Sequence, residues 1–246
     1  MTARVPRPSV RTWKGRYYTG DTGRPGFFSA PGAGVDIEPE DTHLASGVFE
    51  ECEMVGNRGP GIVSDRPTDP NAASVRDVRF EDCLVWGRSS MSLLVRNQDF
   101  RFERCRIMGH MVANGSGLPP SSILFSRCEI TDEPTPSFAP GYLIDVAEGG
   151  GVGVDRCTIT TARQHIGNLS DAKVTRTRFV AKVRTEALDE NWLVLLYRGH
   201  VQDCTFHDAL PSSGGGPITV NYGLNTTWEG NVFTPQGGRL VPLKVA

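Results

Sequence analysis

The sequence predicts an all-β fold, a single-stranded right-handed parallel β-helix of about eight rungs, on three observations. A short phrase returns along the chain as Phe49-Glu-Glu-Cys52-Glu-Met54, Phe80-Glu-Asp-Cys83-Leu-Val85, Phe102-Glu-Arg-Cys105-Arg-Ile107, Phe125-Ser-Arg-Cys128-Glu-Ile130, Val154-Asp-Arg-Cys157-Thr-Ile159 and Val201-Gln-Asp-Cys204-Thr-Phe206. Its period of roughly 22–31 residues belongs to solenoids. Apolar residues stand at the cysteine, two places after it and three before it, with charged residues between, which reads as strand, polar bend, strand. No segment carries a sustained apolar stripe of period 3.6, so stacking these units into one parallel coil is the remaining way to bury them.

Taken in order, residues 1–33 are rich in Gly, Pro and aromatic side chains (Trp13, Tyr17, Tyr18, Phe27, Phe28) and do not follow the repeat. A solenoid must cover its first rung, so this segment reads as an N-terminal cap and 34–246 as one β-helix domain. Between Cys157 and Cys204 one copy lacks its thiol, with Phe179 assigned to the cysteine slot, and a worn last copy runs from Trp228 to Phe233. Loops are expected at 66–74, 110–122, 131–140, 184–191 and 210–217, and Asp189 and Glu190 read as loop acids remote from any site.

Six cysteines are an even number, which invites a disulfide reading. Stacked rungs lie about 4.8 Å apart with Cβ atoms pointing the same way, whereas a disulfide needs them converging at about 3.8 Å. The expectation is a column of buried, reduced thiols packing as small hydrophobes.

A further strand precedes each phrase, and its copies align by apolar alternation: Val35-Asp-Ile-Glu38, Ile62-Val-Ser-Asp65, Leu93-Leu-Val-Arg96, Met111-Val-Ala-Asn114, Tyr142-Leu-Ile-Asp145, Ile166-Gly-Asn-Leu169, Leu193-Val-Leu-Leu196 and Ile218-Thr-Val-Asn221. Positions one and three point inward; two and four point out. Position four makes an external ladder of Glu38, Asp65, Arg96, Asn114, Asp145, Leu169, Leu196 and Asn221. Position two makes a mostly apolar column of Asp36, Val63, Leu94, Val112, Leu143, Gly167, Val194 and Thr219. Apolar residues facing out call for a cover, either a loop, a ligand or a second subunit. Two acids beside a guanidinium perturb each other's proton affinity, so Glu38, Asp65 and Arg96 are candidate catalytic residues, with Asn114, Asp145 and His110 as substrate contacts. Asp36 and Glu38 project from one strand and suit a Ca²⁺ ion. Of the five histidines, His43 and His110 are the best placed for proton transfer, and none shows metal-binding spacing.

The FExC phrases and the Gly34-Val-Asp-Ile-Glu-Pro39 strand resemble the pectate-lyase-like superfamily of right-handed parallel β-helices. That resemblance implies action on a carbohydrate, most concretely lyase-type β-elimination on an acidic sugar polymer, with Arg96 or His43 as base and Asp36, Glu38 and Asp65 holding a cation. The Asp-Asp, Gly-His-Gly and Arg-x-Lys groups of polygalacturonase-like enzymes do not occur here. A non-catalytic phage tail or receptor-binding β-helix and an intracellular cyclase or isomerase of a small apolar metabolite are the alternatives.

A net charge of −2, from 26 basic and 28 acidic residues, offers no attraction to nucleic acid or to an anionic membrane. The start of the chain has no apolar signal core and no stretch is long enough to span a bilayer, so a cytoplasmic protein is expected, or a virion component.

Overall fold

The computed structural model describes residues 11–14, 17–18, 33–37, 44–57, 59–64, 75–87, 92–96, 99–113, 123–132, 142–146, 151–162, 165–184, 188, 190–211 and 215–245. They form a right-handed parallel β-helix of three nine-stranded sheets, every pairing parallel and each strand bonded to the equivalent strand of the next coil. One coil shows the path. Phe100–Glu103 lies in the first sheet, Arg106–Met108 in the second and Met111–Ala113 in the third. The repeated phrase marks eight coils, and a ninth strand joins the first and second sheets through Arg11–Lys14 and Tyr17–Tyr18, within the segment read as a cap.

The phrase forms the corner between the first two sheets. The residue before each cysteine takes a left-handed backbone, from Glu51 (φ 52°) through Asp82, Arg104, Arg127 and Arg156 to Asp203 (φ 55°), and so does Arg176 in the coil without a thiol. All six cysteines are buried and unbridged, as expected. They are more than small hydrophobes, however: the Cys105 thiol donates to the Phe80 carbonyl of the preceding coil at 3.2 Å and to Glu103 O at 3.5 Å. Cys83, Cys128, Cys157 and Cys204 repeat both contacts.

That pattern corrects one assignment. Phe179 pairs with Ile159, two places beyond the slot, and Thr177 occupies the slot itself, its Oγ1 donating to Thr175 O at 3.0 Å. In the last coil Asn231 does the same work, accepting from Cys204 N at 2.9 Å and donating to Val201 O at 3.0 Å. The slot therefore selects a small side chain that can donate to corner carbonyls, and a phenyl ring cannot.

Phenylalanines stack along the interior at the coil spacing, with centroids 4.7 Å apart for Phe49–Phe80, 5.0 Å for Phe80–Phe102 and 4.9 Å for Phe102–Phe125. At the far end Arg239 makes a bidentate pair with Asp208, both bonds 2.9 Å, and also donates to Val183 O. Both side chains are almost wholly buried. The last strand, Leu240–Val245, pairs with Ile218–Gly223, and Ile218 N donates to Arg239 O. By the alternation of a parallel ladder, Leu240, Pro242 and Lys244 then turn their backbone groups to the free edge.

The third sheet holds the strands aligned above, but its register departs from theirs after Val112. Val63, Leu94 and Val112 face each other across strands as expected, with Asp36 at the start. The next partner of Val112 is Asp145, followed by Asn168, Leu195 and Asn221. Leu143 and Ile144 are both buried in the core, so the strict alternation assumed from Tyr142 onward fails there. Leu169 and Leu196, placed outside by that alternation, point into the core, as do Leu143 and Val194.

Candidate functional site

The outer face of the third sheet is where the described site residues lie. Glu38, His43, Asp65 and Asn114 fall outside the described residues. Asp36 is exposed at the start of the face, and partial withdrawal of water lifts its carboxyl above the ordinary aspartate value. Among the described residues no three His, Cys, Asp or Glu side chains converge to hold a metal ion.

Arg96 is exposed just beyond Leu93–Val95, its N–H bonded to Ser64 O at 2.8 Å. Asp145 is not in its column. Through its pairing with Val112 it stands two residues earlier along the face, about 7 Å away along the strand direction and on a different coil. The sequence ladder thus divides, with Arg96 on one column and Asp145 and Asn221 on another, where Asn168 and Leu195 take the places expected for Leu169 and Leu196.

The neighbours of Asp145 are what the register brings together. His110 leads into Met111–Ala113, and its Nδ1 lies 2.7 Å from the carbonyl of Tyr142 on the following coil. A carbonyl only accepts, so Nδ1 carries the proton and, in the neutral ring, Nε2 holds the lone pair. Burial pulls the proton affinity of His110 below that of an ordinary imidazole, although the Tyr142 carbonyl and the nearby Asp145 charge act the other way.

Beside this pair the face carries a patch of three rings that the sequence reading missed. Tyr142, His165 and Trp192 are the first residues of the successive strands Tyr142–Val146, His165–Leu169 and Trp192–Leu196. The His165 and Trp192 rings stack at 3.8 Å, and the Tyr142 ring lies 5.7 Å from Trp192. His165 Nδ1 bonds the Trp192 carbonyl, repeating the device of His110. Glu190, dismissed above as a remote loop acid, accepts the Trp192 indole N–H at 2.7 Å and so fixes the patch. His165 and Trp192 are buried, whereas Tyr142 is 41% exposed. A signal for the patch was present: an aromatic ring stands three residues before Asp145, Asn168 and Leu195 in turn.

Asn168 completes the face. Its Oδ1 accepts from Ser170 N at 3.0 Å and from Ser170 Oγ at 2.5 Å, which turns its amide nitrogen away from Ser170 as a donor. Val63 and Leu94 are buried although they lie outside the core cluster, so the apolar outward stripe is covered within the chain at those two positions. Chemically, then, the face offers an exposed ring, an amide donor, a carboxylate, a guanidinium and an imidazole with an available lone pair.

Among the described residues no helix is long and apolar enough to cross a membrane. No protein-family model matches the chain, and no curated protein matches it significantly. Among solved structures it is similar to two trypsin-treated variants of QnrB1, a plasmid-mediated fluoroquinolone resistance protein. One is 13% identical over 93% of this chain and 92% of that chain with a TM-score of 0.31; the other is 10% identical over 93% of each with a TM-score of 0.29. Likeness at this level carries no assignment of function, and the fold stands on the strand pairings above.

Proposed function

We propose that the outer face of the third sheet binds a carbohydrate chain, with an acidic polymer as the preferred class. The observation that carries this reading is the exposed Tyr142 ring, held by Trp192 at the start of the strand that carries Asp145, with Asn168 paired beside Asp145 further along the face. A sugar chain has apolar ring faces and rims of hydroxyls, and an exposed ring with an acceptor and an amide donor further along the same face offers both. Arg96, exposed on the same face, supplies the preference for anionic sugars. The resemblance of the FExC phrases to pectate-lyase-like β-helices supports the same class. A Ca²⁺ ion at Asp36 and Glu38 would extend that preference along the face.

The reading is tested by titrating the protein with soluble polygalacturonate, alginate and hyaluronan and with neutral dextran. Tyr142→Ala is expected to weaken binding by about 1–2 kcal/mol, the scale of one lost ring contact and its buried area. Thermal stability should stay within about 0.5 kcal/mol, as for a surface substitution. Arg96→Ala should erase the difference between acidic and neutral polymers. Unchanged binding by Tyr142→Ala would move the site off this face.

A further inference from the structure

We propose that two copies of this chain associate side by side and antiparallel through the outer face of the second sheet. This surface is separate from the third-sheet face assigned above to carbohydrate. The residue after each slot opens a strand of the second sheet, and in-register pairing stacks these residues as Glu53, Leu84, Arg106, Glu129, Thr158 and Arg178. The four charged members are exposed, and Leu84 and Thr158 are half-buried. Read in reverse, the column is its own complement. A two-fold axis between the coils of Arg106 and Glu129, lying in the interface and perpendicular to the solenoid, lays the column of one copy on the reversed column of the other. Glu53 then meets Arg178, Leu84 meets Thr158 and Arg106 meets Glu129, and the symmetry makes each contact twice. At the axis the Arg106–Glu129 pair within each chain, 3.4 Å long, lies antiparallel on its counterpart and closes a ring of alternating charges. Among the described residues no ion pair within the chain engages Glu53 or Arg178, so the outer contacts form without breaking one.

The corner beside this column repeats the order of charges. Glu51, Asp82, Arg104, Arg127, Arg156 and Arg176 take the left-handed position of the same coils, and the same axis sets Glu51 opposite Arg176 and Asp82 opposite Arg156. At the centre it sets Arg104 opposite Arg127, where acids of the same chain hold both. Asp82 accepts from Arg104 at 2.8 and 2.9 Å, and Glu103 accepts from Arg104 at 2.6 Å and from Arg127 at 3.0 Å. Asp155 likewise engages Arg156 and Arg176. A row of arginines also suits a polyanion, but a polyanion lying along this corner would run over Glu51, Glu53 and Asp82 in the first two coils. An antiparallel copy meets opposite charge at both ends, and a parallel copy in register would set like charge on like.

Exposed ion pairs are individually weak and screened by salt, so the dimer is salt-sensitive. The test is sedimentation of the full chain over a dilution series. At about 0.01 M salt the wild type is expected to pass from monomer to dimer as concentration rises, and at about 1 M salt, where the screening length is about 3 Å, to stay monomeric. Glu53→Arg and Arg178→Glu should each weaken self-association by about tenfold or more, because each sets like charges together at both ends of the interface. Mixed in equal amounts the two variants should regain dimer, since each carries the complement of the other. Glu53→Gln and Arg178→Gln remove the charge without reversing it and should weaken association in the same direction, which keeps the test valid if a reversal disturbs the fold. A wild type that stays monomeric at low salt, unchanged association in the variants, or no recovery in a mixture of folded reversal variants overturns the proposal. Association that appears only when inorganic polyphosphate is added also overturns it and gives the arginine row to a polyanion.

Discussion

The residue that turns each first corner sits in the left-handed region, a conformation costing an L-residue about 1–2 kcal/mol, yet among the described residues seven of these corners use Glu, Asp or Arg and one, at Gly230, uses glycine. The offset is visible in the bonding. The N–H of each of those seven residues reaches a carbonyl of the next coil, as from Arg104 to Ser126 O at 3.0 Å and from Arg127 to Asp155 O at 2.9 Å. The slot residue that follows then satisfies corner carbonyls with its own side chain. Burial pushes the Cys204 thiol up to about 11, which keeps it protonated as a donor. Cys105→Ala should therefore cost about 1–3 kcal/mol from a small cavity and two lost weak bonds, and Cys105→Thr less, since Thr177 already shows the fit. Cys105→Asp should cost several kcal/mol, because a carboxylate would face carbonyl oxygens without a donor. Thermal melts rank the three, and equal midpoints for the Ala and Asp variants would remove the slot from the core.

At the scale of strands, one buried ion pair ties the end of the second sheet to the start of the last strand. Burial raises the proton affinity of Asp208, but the bonds and charge of Arg239 outweigh it and the carboxyl lies below the ordinary aspartate value. A carboxyl lowered in the fold contributes stability that is present above the ordinary aspartate range and is lost as pH falls through its own lowered value. Arg239→Met is expected to cost about 3–5 kcal/mol by leaving a buried charge unpaired. Adding Asp208→Leu should recover much of it, and urea melts at neutral pH check both. Neither residue draws attention in the sequence, because 31 positions separate them and no periodicity links them. The corner phrase was legible for the opposite reason: its apolar residues recur at fixed offsets, and cross-strand register preserves them coil after coil. The third-sheet face was legible only as far as Val112. Beyond it Leu143 and Ile144 are both inside, so a period-two reading puts Tyr142 in the core and Asp145 in the wrong column. The ring patch depends on that correction, and so does the pairing of His110 with Tyr142.

Across the described strands each pairs only with those of the coils before and after it, the Arg239 bond to Val183 O two coils back being a longer reach, and stability accumulates along one axis. Such a stack has ends, and an unpaired strand edge is a template for another chain. Here the edge of the last strand lacks a donor at Pro242 and carries an ammonium group at Lys244, two of the devices that blunt edges. Val232, Leu224 and Leu243 are exposed on the same terminal coils, so apolar contact is available to any copy that can align. Replacing Pro242 and Lys244 together by valine is expected to raise the apparent mass in size-exclusion chromatography with light scattering, in a concentration-dependent manner, relative to the unchanged chain. An unaltered mass would mean that something other than this edge limits association. The wider consequence concerns length. A repeat that lets one chain grow by adding coils would equally let chains add to chains, and at the edge of Leu240–Val245 one imino acid and one positive charge stand against such an addition.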